Sequence, residues 1–164
     1  MGAVTSDFVR RYGEIYELSP WVAEEAAPIA AETGDVEKIA ELMADCVDNA
    51  SVERQLALIR AHPDLAGKAQ IKGELTADSS SEQASAGLDQ CSEEEYERFQ
   101  TLNIAYKDRF GFPFVMAVRN SGRTEILEAF GSRLENDQNT EFETALAEIH
   151  KIARLRLNAM EEAQ

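Results

Sequence analysis

Apolar side chains recur at helical spacing in one segment after another of this chain, and most segments open on a capping residue and close on a helix breaker. Phe8, Tyr12, Ile15 and Tyr16 follow i, i+4, i+7 and i+8, one face of a helix. Ser19-Pro20 predicts a helix start, a capping hydroxyl before the residue whose missing N–H costs nothing in a first turn. That helix carries Trp21, Val22, Ala26 and Ile29, and Thr33-Gly34 is the stop. Asp35 caps a helix with Val36, Ile39, Met43 and Val47 inward, and Ser51 opens another with Val52, Leu56 and Ile59. The period returns over Asp78–Gln83, with Gly87 as a stop. Ser92-Glu93-Glu94-Glu95 reads as a capping box, opening a long helix with Tyr96, Phe99, Leu102 and Tyr106 to one side. Thr124 begins a helix carrying Ile126, Leu127, Phe130 and Leu134, and Thr140-Glu141-Phe142-Glu143 reads as a further box for a helix ending near Met160.

Two stretches break the pattern. Residues 61–78 contain Pro63, Gly67 and Gly73, with Leu65, Ala66 and Ile71 as anchors. Long irregular stretches inside compact domains often carry function. Phe110-Gly111-Phe112-Pro113 runs into apolar Phe114–Val118, which suits an extended buried segment before a turn at Asn120-Ser121-Gly122. There is no internal repeat. The expected fold is all-α, a single compact domain over residues 1–164 with about eight helices and one irregular segment around 110–118.

A formal charge of −15 argues against a nucleic-acid or anionic-membrane partner, since both require clustered Lys and Arg. An inward-facing cation can still bind a small anion inside an acidic protein. The chain shows no secretory apolar region at its start and no apolar run long enough to span a bilayer. It ends Glu-Glu-Ala-Gln, not on a peroxisomal address. Cys46 and Cys91 lack metal-ligand spacing and read as reduced, in a cytosolic compartment. No phosphate-cradling glycine loop or dinucleotide fingerprint is present, so any chemistry is expected to proceed without metal or nucleotide.

His62 stands where an apolar helical pattern meets Pro63. A residue before proline is pushed toward extended geometry, so the imidazole sits at a stiff corner and is suited to proton transfer. A helix-end histidine touching the last carbonyls is the structural alternative. Phe142, Ile149 and Arg156 are spaced by seven residues, close to two turns. Arg156 therefore faces inward with the apolar stripe of Phe142, Leu146, Ile149 and Ala153, whereas Arg154 follows Glu143, Ala147 and His150 outward. An inward guanidinium needs a carboxylate; a snorkelling arginine near a helix end is the alternative. Ser79-x-x-Glu82 fits a capping box, or a helix start whose hydroxyl, N–H groups, Gln83 amide and carboxylate face a pocket.

His62-Pro63-Asp64-Leu65, Ser79-x-x-Glu82-Gln83-x-x-Ala86-Gly87, Phe110-Gly111-Phe112-Pro113-Phe114-Val115 and Leu155-Arg156-Leu157 occur in that order, with Ser19-Pro20-Trp21-Val22-Ala23 ahead of them. In this register nearly the whole chain resembles the OHCU decarboxylase family, the 2-oxo-4-hydroxy-4-carboxy-5-ureidoimidazoline decarboxylases of urate breakdown. Together the motifs outweigh the separate structural alternatives. The resemblance implies an all-helical homodimer that needs no cofactor or metal and releases CO2 from an anionic ureide to give S-allantoin. It implies His62 as proton donor, Glu82 as the active-site acid and Arg156 as a substrate-facing cation. It implies substrate contacts at Pro63, Ser79 and Gln83, and a lining segment from Phe114 through Val115, Met116 and Ala117 to Val118. The missing peroxisomal signal fits a bacterial, cytoplasmic member. The residues leave two other readings open: an acidic helical interaction module without catalysis, and a hydrolase or isomerase of a related ureide.

Overall fold

Local capping chemistry sets most of the helix starts in the computed structural model, which describes residues 3–67 and 73–162. Ile71, expected as an anchor, lies outside the described residues, as do the last two residues of the Glu-Glu-Ala-Gln end. The described residues hold eight α-helices, one short 3-10 turn and no strand. They divide into two units, residues 1–61 with 149–164, and residues 62–148.

The first unit contains α1 (Ala3–Tyr12), α2 (Trp21–Ala30), α3 (Val36–Asp48) and α4 (Val52–Arg60). It also takes the C-terminal part of α8 (Gln138–Glu162). α2 packs on both α1 and α3 through Val22, Ala23, Ala26, Ala27 and Ala30. These small side chains place the contact face roughly a quarter turn from Ile29, which is exposed rather than inward. Ile15 and Tyr16 are buried, yet α1 stops at Tyr12 and they reach the core from a turn, not from the helix. Ser19 does not cap α2. Leu18 takes a positive φ of 48°, and the Ser19 hydroxyl donates back to the Glu17 carbonyl at 2.8 Å. Pro20 is the residue that precedes the helix.

Asp35 caps α3 as expected, accepting from Glu37 N at 3.0 Å, and Ser51 caps α4, accepting from Arg54 N at 3.2 Å. The inward face of α4 is Gln55, Leu58 and Ile59. Val52, in its first turn, is exposed, because the helix turns its Gln55 side to α3, where Gln55 Nε2 donates to Val47 O at 2.9 Å.

The second unit holds α5 (Ala77–Ser85), the 3-10 turn Leu88–Gln90, α6 (Glu93–Phe110), α7 (Arg123–Arg133) and the start of α8. α5 begins earlier than its serines suggest. Thr76 is the cap, accepting from Ser79 N at 3.3 Å, so Ser79 lies inside the first turn. The Ser92 box is present in full. Between them Gly87 has φ +76°, a left-handed backbone conformation that favours glycine. α7 starts one residue ahead of Thr124, after Gly122. α8 is capped by Asp137, whose carboxylate accepts from Thr140 N at 2.8 Å. The expected Thr140 box therefore does not form. Residues 111–118 have no regular structure, and Phe112, Phe114, Val115 and Val118 are buried. Phe114 stacks on Phe130 at 3.9 Å, and Tyr106 meets Phe110, Phe112, Phe114 and Phe130 through tilted or edge contacts.

Candidate active site

The irregular loop after α4 carries His62 and Pro63. His62 is 8% exposed, which suits a proton-transfer group screened from bulk water. Such a loop has no helix or strand ladder to satisfy its backbone, so its polar groups need other partners. Side chains provide them. Gln83 on α5 accepts from Ala66 N at 3.0 Å through Oε1 and donates to Asp64 O at 3.2 Å through Nε2. Gln100 and Asn103 on α6 donate to the carbonyls of Ala66 and Leu65 at 2.7 and 3.0 Å. Lys107 pairs with Asp64 at 2.7 Å.

Gln83 is thus more than a substrate-contacting candidate, since both ends of its amide are engaged by the loop. Its bonds tie the His62-Pro63 corner to the helix that bears Ser79 and Glu82. Ser79 is buried and Glu82 half-buried, three residues apart on adjoining turns of one helix face. Gln83 thereby links the loop that carries His62 and Pro63 to the helix that carries Ser79 and Glu82.

The Phe114–Val118 segment belongs to the same unit. Arg133 donates to Val115 O at 2.6 Å, and its guanidinium lies 4.3 Å from the Phe114 ring centre. Arg133 is fixed in turn by Glu141, which is 0% exposed. The Glu141 carboxylate accepts from Arg133 Nε at 2.8 Å, Tyr106 OH at 2.5 Å and Asn136 Nδ2 at 2.9 Å. Burial and then the bond to Glu141 push the Tyr106 phenol above its ordinary pKa. It is therefore a neutral donor at physiological pH. Ala117 N donates to Glu148 Oε1 at 3.1 Å. Met116 and Ala117 are half-buried, the more accessible part of this segment.

Arg156 lies in the first unit, 3% exposed. Its Nη1 donates to Ile15 O at 3.2 Å and pairs with Glu17 at 3.5 Å. Arg154 points outward and pairs with Glu37, so the stripe separates the two arginines correctly. His150 is a buried-edge bridge, with Nδ1 2.8 Å from Tyr16 OH and Nε2 3.0 Å from Asp48. Burial, then the Asp48 carboxylate, push the Tyr16 phenol up. Burial also pushes both thiols up, Cys46 with help from Glu25 and Cys91 with help from Glu95, away from the thiolate a nucleophile needs. Among the described residues no group of three His, Cys, Asp or Glu side chains could hold a metal ion. No helix among them is long and apolar enough to cross a membrane.

Residue-by-residue reading overlooked Gln100, Asn103, Arg133, Glu141 and Glu17. Asn103 left a signal: an amide within the apolar spacing Phe99, Tyr106, Phe110. Glu141 was hidden by its place in an apparent capping box.

The sequence matches the family model described as OHCU decarboxylase over residues 3–158. It is 49% identical to the 2-oxo-4-hydroxy-4-carboxy-5-ureidoimidazoline decarboxylase of Haloferax volcanii, over 92% of this chain and 86% of that protein. A crystal structure of (S)-allantoin synthase superposes with a TM-score of 0.75 at 34% identity, covering 94% of this chain and 50% of that one. A crystal structure of OHCU decarboxylase in the presence of (S)-allantoin gives a TM-score of 0.66 at 26% identity, covering 83% and 89%.

Proposed function

The chain belongs to the OHCU decarboxylase family, and on that premise we propose that it removes CO2 from 2-oxo-4-hydroxy-4-carboxy-5-ureidoimidazoline, with His62 as proton donor. The observation that carries the assignment of residues is the Gln83 brace, which ties the His62 corner to the helix of Ser79 and Glu82. The family match over residues 3–158 supports reading the chain as one decarboxylase domain.

In this substrate the carbon that bears the carboxylate also bears a hydroxyl and adjoins a C=N bond. When the C–C bond to the carboxylate breaks, CO2 leaves and the electron pair passes into the C=N. The substrate is its own electron sink, so the reading needs no pyridoxal or thiamine. The ring nitrogen of the former C=N takes up a proton from solvent, Glu82 takes the hydroxyl proton as the carbonyl forms, and His62 delivers a proton to the ring carbon that bears the ureido group. Delivery to one face sets the S configuration of allantoin. Ser79, Gln83 and Pro63 orient the ureido and hydroxyl groups, and the half-buried Met116–Ala117 backbone borders the ring along with Phe114, Val115 and Val118. Arg156 is assigned a charged substituent on its residue match, since its planar fork suits a carboxylate. A cytoplasmic homodimer is the accompanying expectation.

The test uses substrate generated from urate immediately before the assay, with CO2 release and allantoin chirality followed together. Wild-type protein should raise the rate and yield one enantiomer, where the uncatalysed reaction yields racemate. Folded His62→Asn should lose most turnover. Wild-type turnover in that variant would remove His62 from the mechanism.

A further inference from the structure

The decarboxylase reading places its proton donor on a loop with no backbone ladder, and something must aim it. Resting on that reading, we propose that Asn103, seconded by Gln100, is a positioning residue that sets the His62 loop without touching substrate.

Three consecutive carbonyls of the loop, those of Asp64, Leu65 and Ala66, accept from side-chain amides of Gln83, Asn103 and Gln100. The loop is tightly wound. Ala66 has φ +51°, a left-handed conformation that is strained for an L-residue. A Cβ on Gly67 would come within 2.8 Å of Asp64 Cβ. Strained backbone persists only where its surroundings over-determine it, and the amides supply that constraint. Lys107–Asp64 contributes less, because an exposed pair is weak.

Asn103 stands out among the three. It is 3% exposed and sits in the apolar stripe of α6 with Phe99, Tyr106 and Phe110. Its Nδ2 holds Leu65 O at 3.0 Å, while its Oδ1 is buried with no hydrogen-bond partner among the described residues. A buried acceptor left unmade is destabilising. A leucine would fill the same space without that cost, so the needs of the helix alone do not account for the amide. Its one hydrogen bond accounts for it, and that bond ends on the loop of His62.

The experiment compares wild type with Asn103→Leu and Gln100→Ala, the second at a half-exposed position where folding is not at risk. The readouts are kcat, KM, allantoin enantiomeric purity, thermal melting, and hydrogen exchange of the 62–67 backbone. Displacing a reacting group by about 1 Å costs on the order of 100-fold, so kcat should fall about 10- to 100-fold in Asn103→Leu and less in Gln100→Ala. KM should stay within about threefold, because the substrate contacts remain. Enantiomeric purity should fall, the Ala66 amide should exchange faster, and melting should hold. Folded variants with wild-type kcat and wild-type loop exchange overturn the proposal. So does a kcat loss that merely tracks a lowered melting temperature and recovers on cooling. Should Asn103→Leu fail to fold, Gln100→Ala decides alone. A wild-type protein with no activity above background would instead remove the decarboxylase reading, and loop exchange would still test the brace.

Discussion

Two Ser-x-x-Glu sequences lie thirteen residues apart in the second unit, and they fold to different ends. At Ser92 the box closes: Ser92 Oγ accepts from Glu95 N at 3.2 Å, and Glu95 Oε1 accepts from Ser92 N at 2.9 Å. At Ser79 it does not, because Thr76 stands three residues upstream at the same spacing and takes the cap position in extended geometry, φ −60° and ψ 159°. Ser79 then donates its own N–H to Thr76. Its side chain is turned inward, and Glu82 falls on the next turn of the same helix. One motif therefore does two jobs, decided by what precedes it. Where Thr76 caps the helix, serine and glutamate make no capping box, and under the proposed function they serve the substrate.

The sharpest break between them is in turnover. Glu82→Gln keeps size and hydrogen bonding but removes the base, so kcat should fall on the order of 10²- to 10⁴-fold with little change in melting temperature. Glu95→Gln should leave kcat at the wild-type value. Equal turnover in the two variants would erase the distinction. A smaller effect separates the caps. Thr76→Ala should cost about 1 kcal/mol of stability and lower kcat as well, since it frays the helix that bears Ser79 and Glu82. Ser92→Ala should cost at most a similar amount, about 1 kcal/mol, with turnover intact. Urea titration beside steady-state kinetics reads both quantities. A Thr76→Ala protein that is destabilised but fully active would show that the first turn of α5 does not hold the site.

The periodic parts of this fold were legible because each helix pays its own local costs. Asp35, Ser51 and the Ser92 box cap where expected, and the Phe110–Val118 break is irregular and buried. The inward turn of Arg156 followed from spacing alone. What escaped was set by partners distant in sequence. Ile29 and Val52 are exposed because the packing faces of α2 and α4 are centred elsewhere. Ser19 bonds backward to Glu17 O after a positive-φ residue. Glu17 as the carboxylate beside Arg156 carries no sequence signal, since it reaches that arginine across 139 positions. At the candidate site, residue types and motif order pointed to His62, Glu82 and Gln83. That Gln83 is engaged by the loop backbone, and that Gln100 and Asn103 share the task, depends on how an irregular segment packs against two helices.

The smallest expected effect concerns pH and belongs to the Ser92 box. The Glu95 carboxyl is held below its ordinary pKa, first by the Ser92 backbone N–H and then by Arg123, which also donates to Gly87 O at 2.9 Å. A carboxyl depressed in the folded state binds protons more readily when unfolded. Its contribution is therefore complete above the unfolded pKa and is lost as pH falls through the folded one. At neutral pH wild type should melt slightly above Glu95→Gln. The gap should shrink through the acid range and vanish once Glu95 is protonated, because a protonated glutamate and a glutamine then differ little in charge. Thr76→Ala, whose cap is an uncharged hydroxyl, should show a deficit that does not follow this titration. A Glu95→Gln gap of constant size down to acid pH would mean that the box at Ser92 holds by shape alone. The two serine motifs would then differ in position but not in electrostatics.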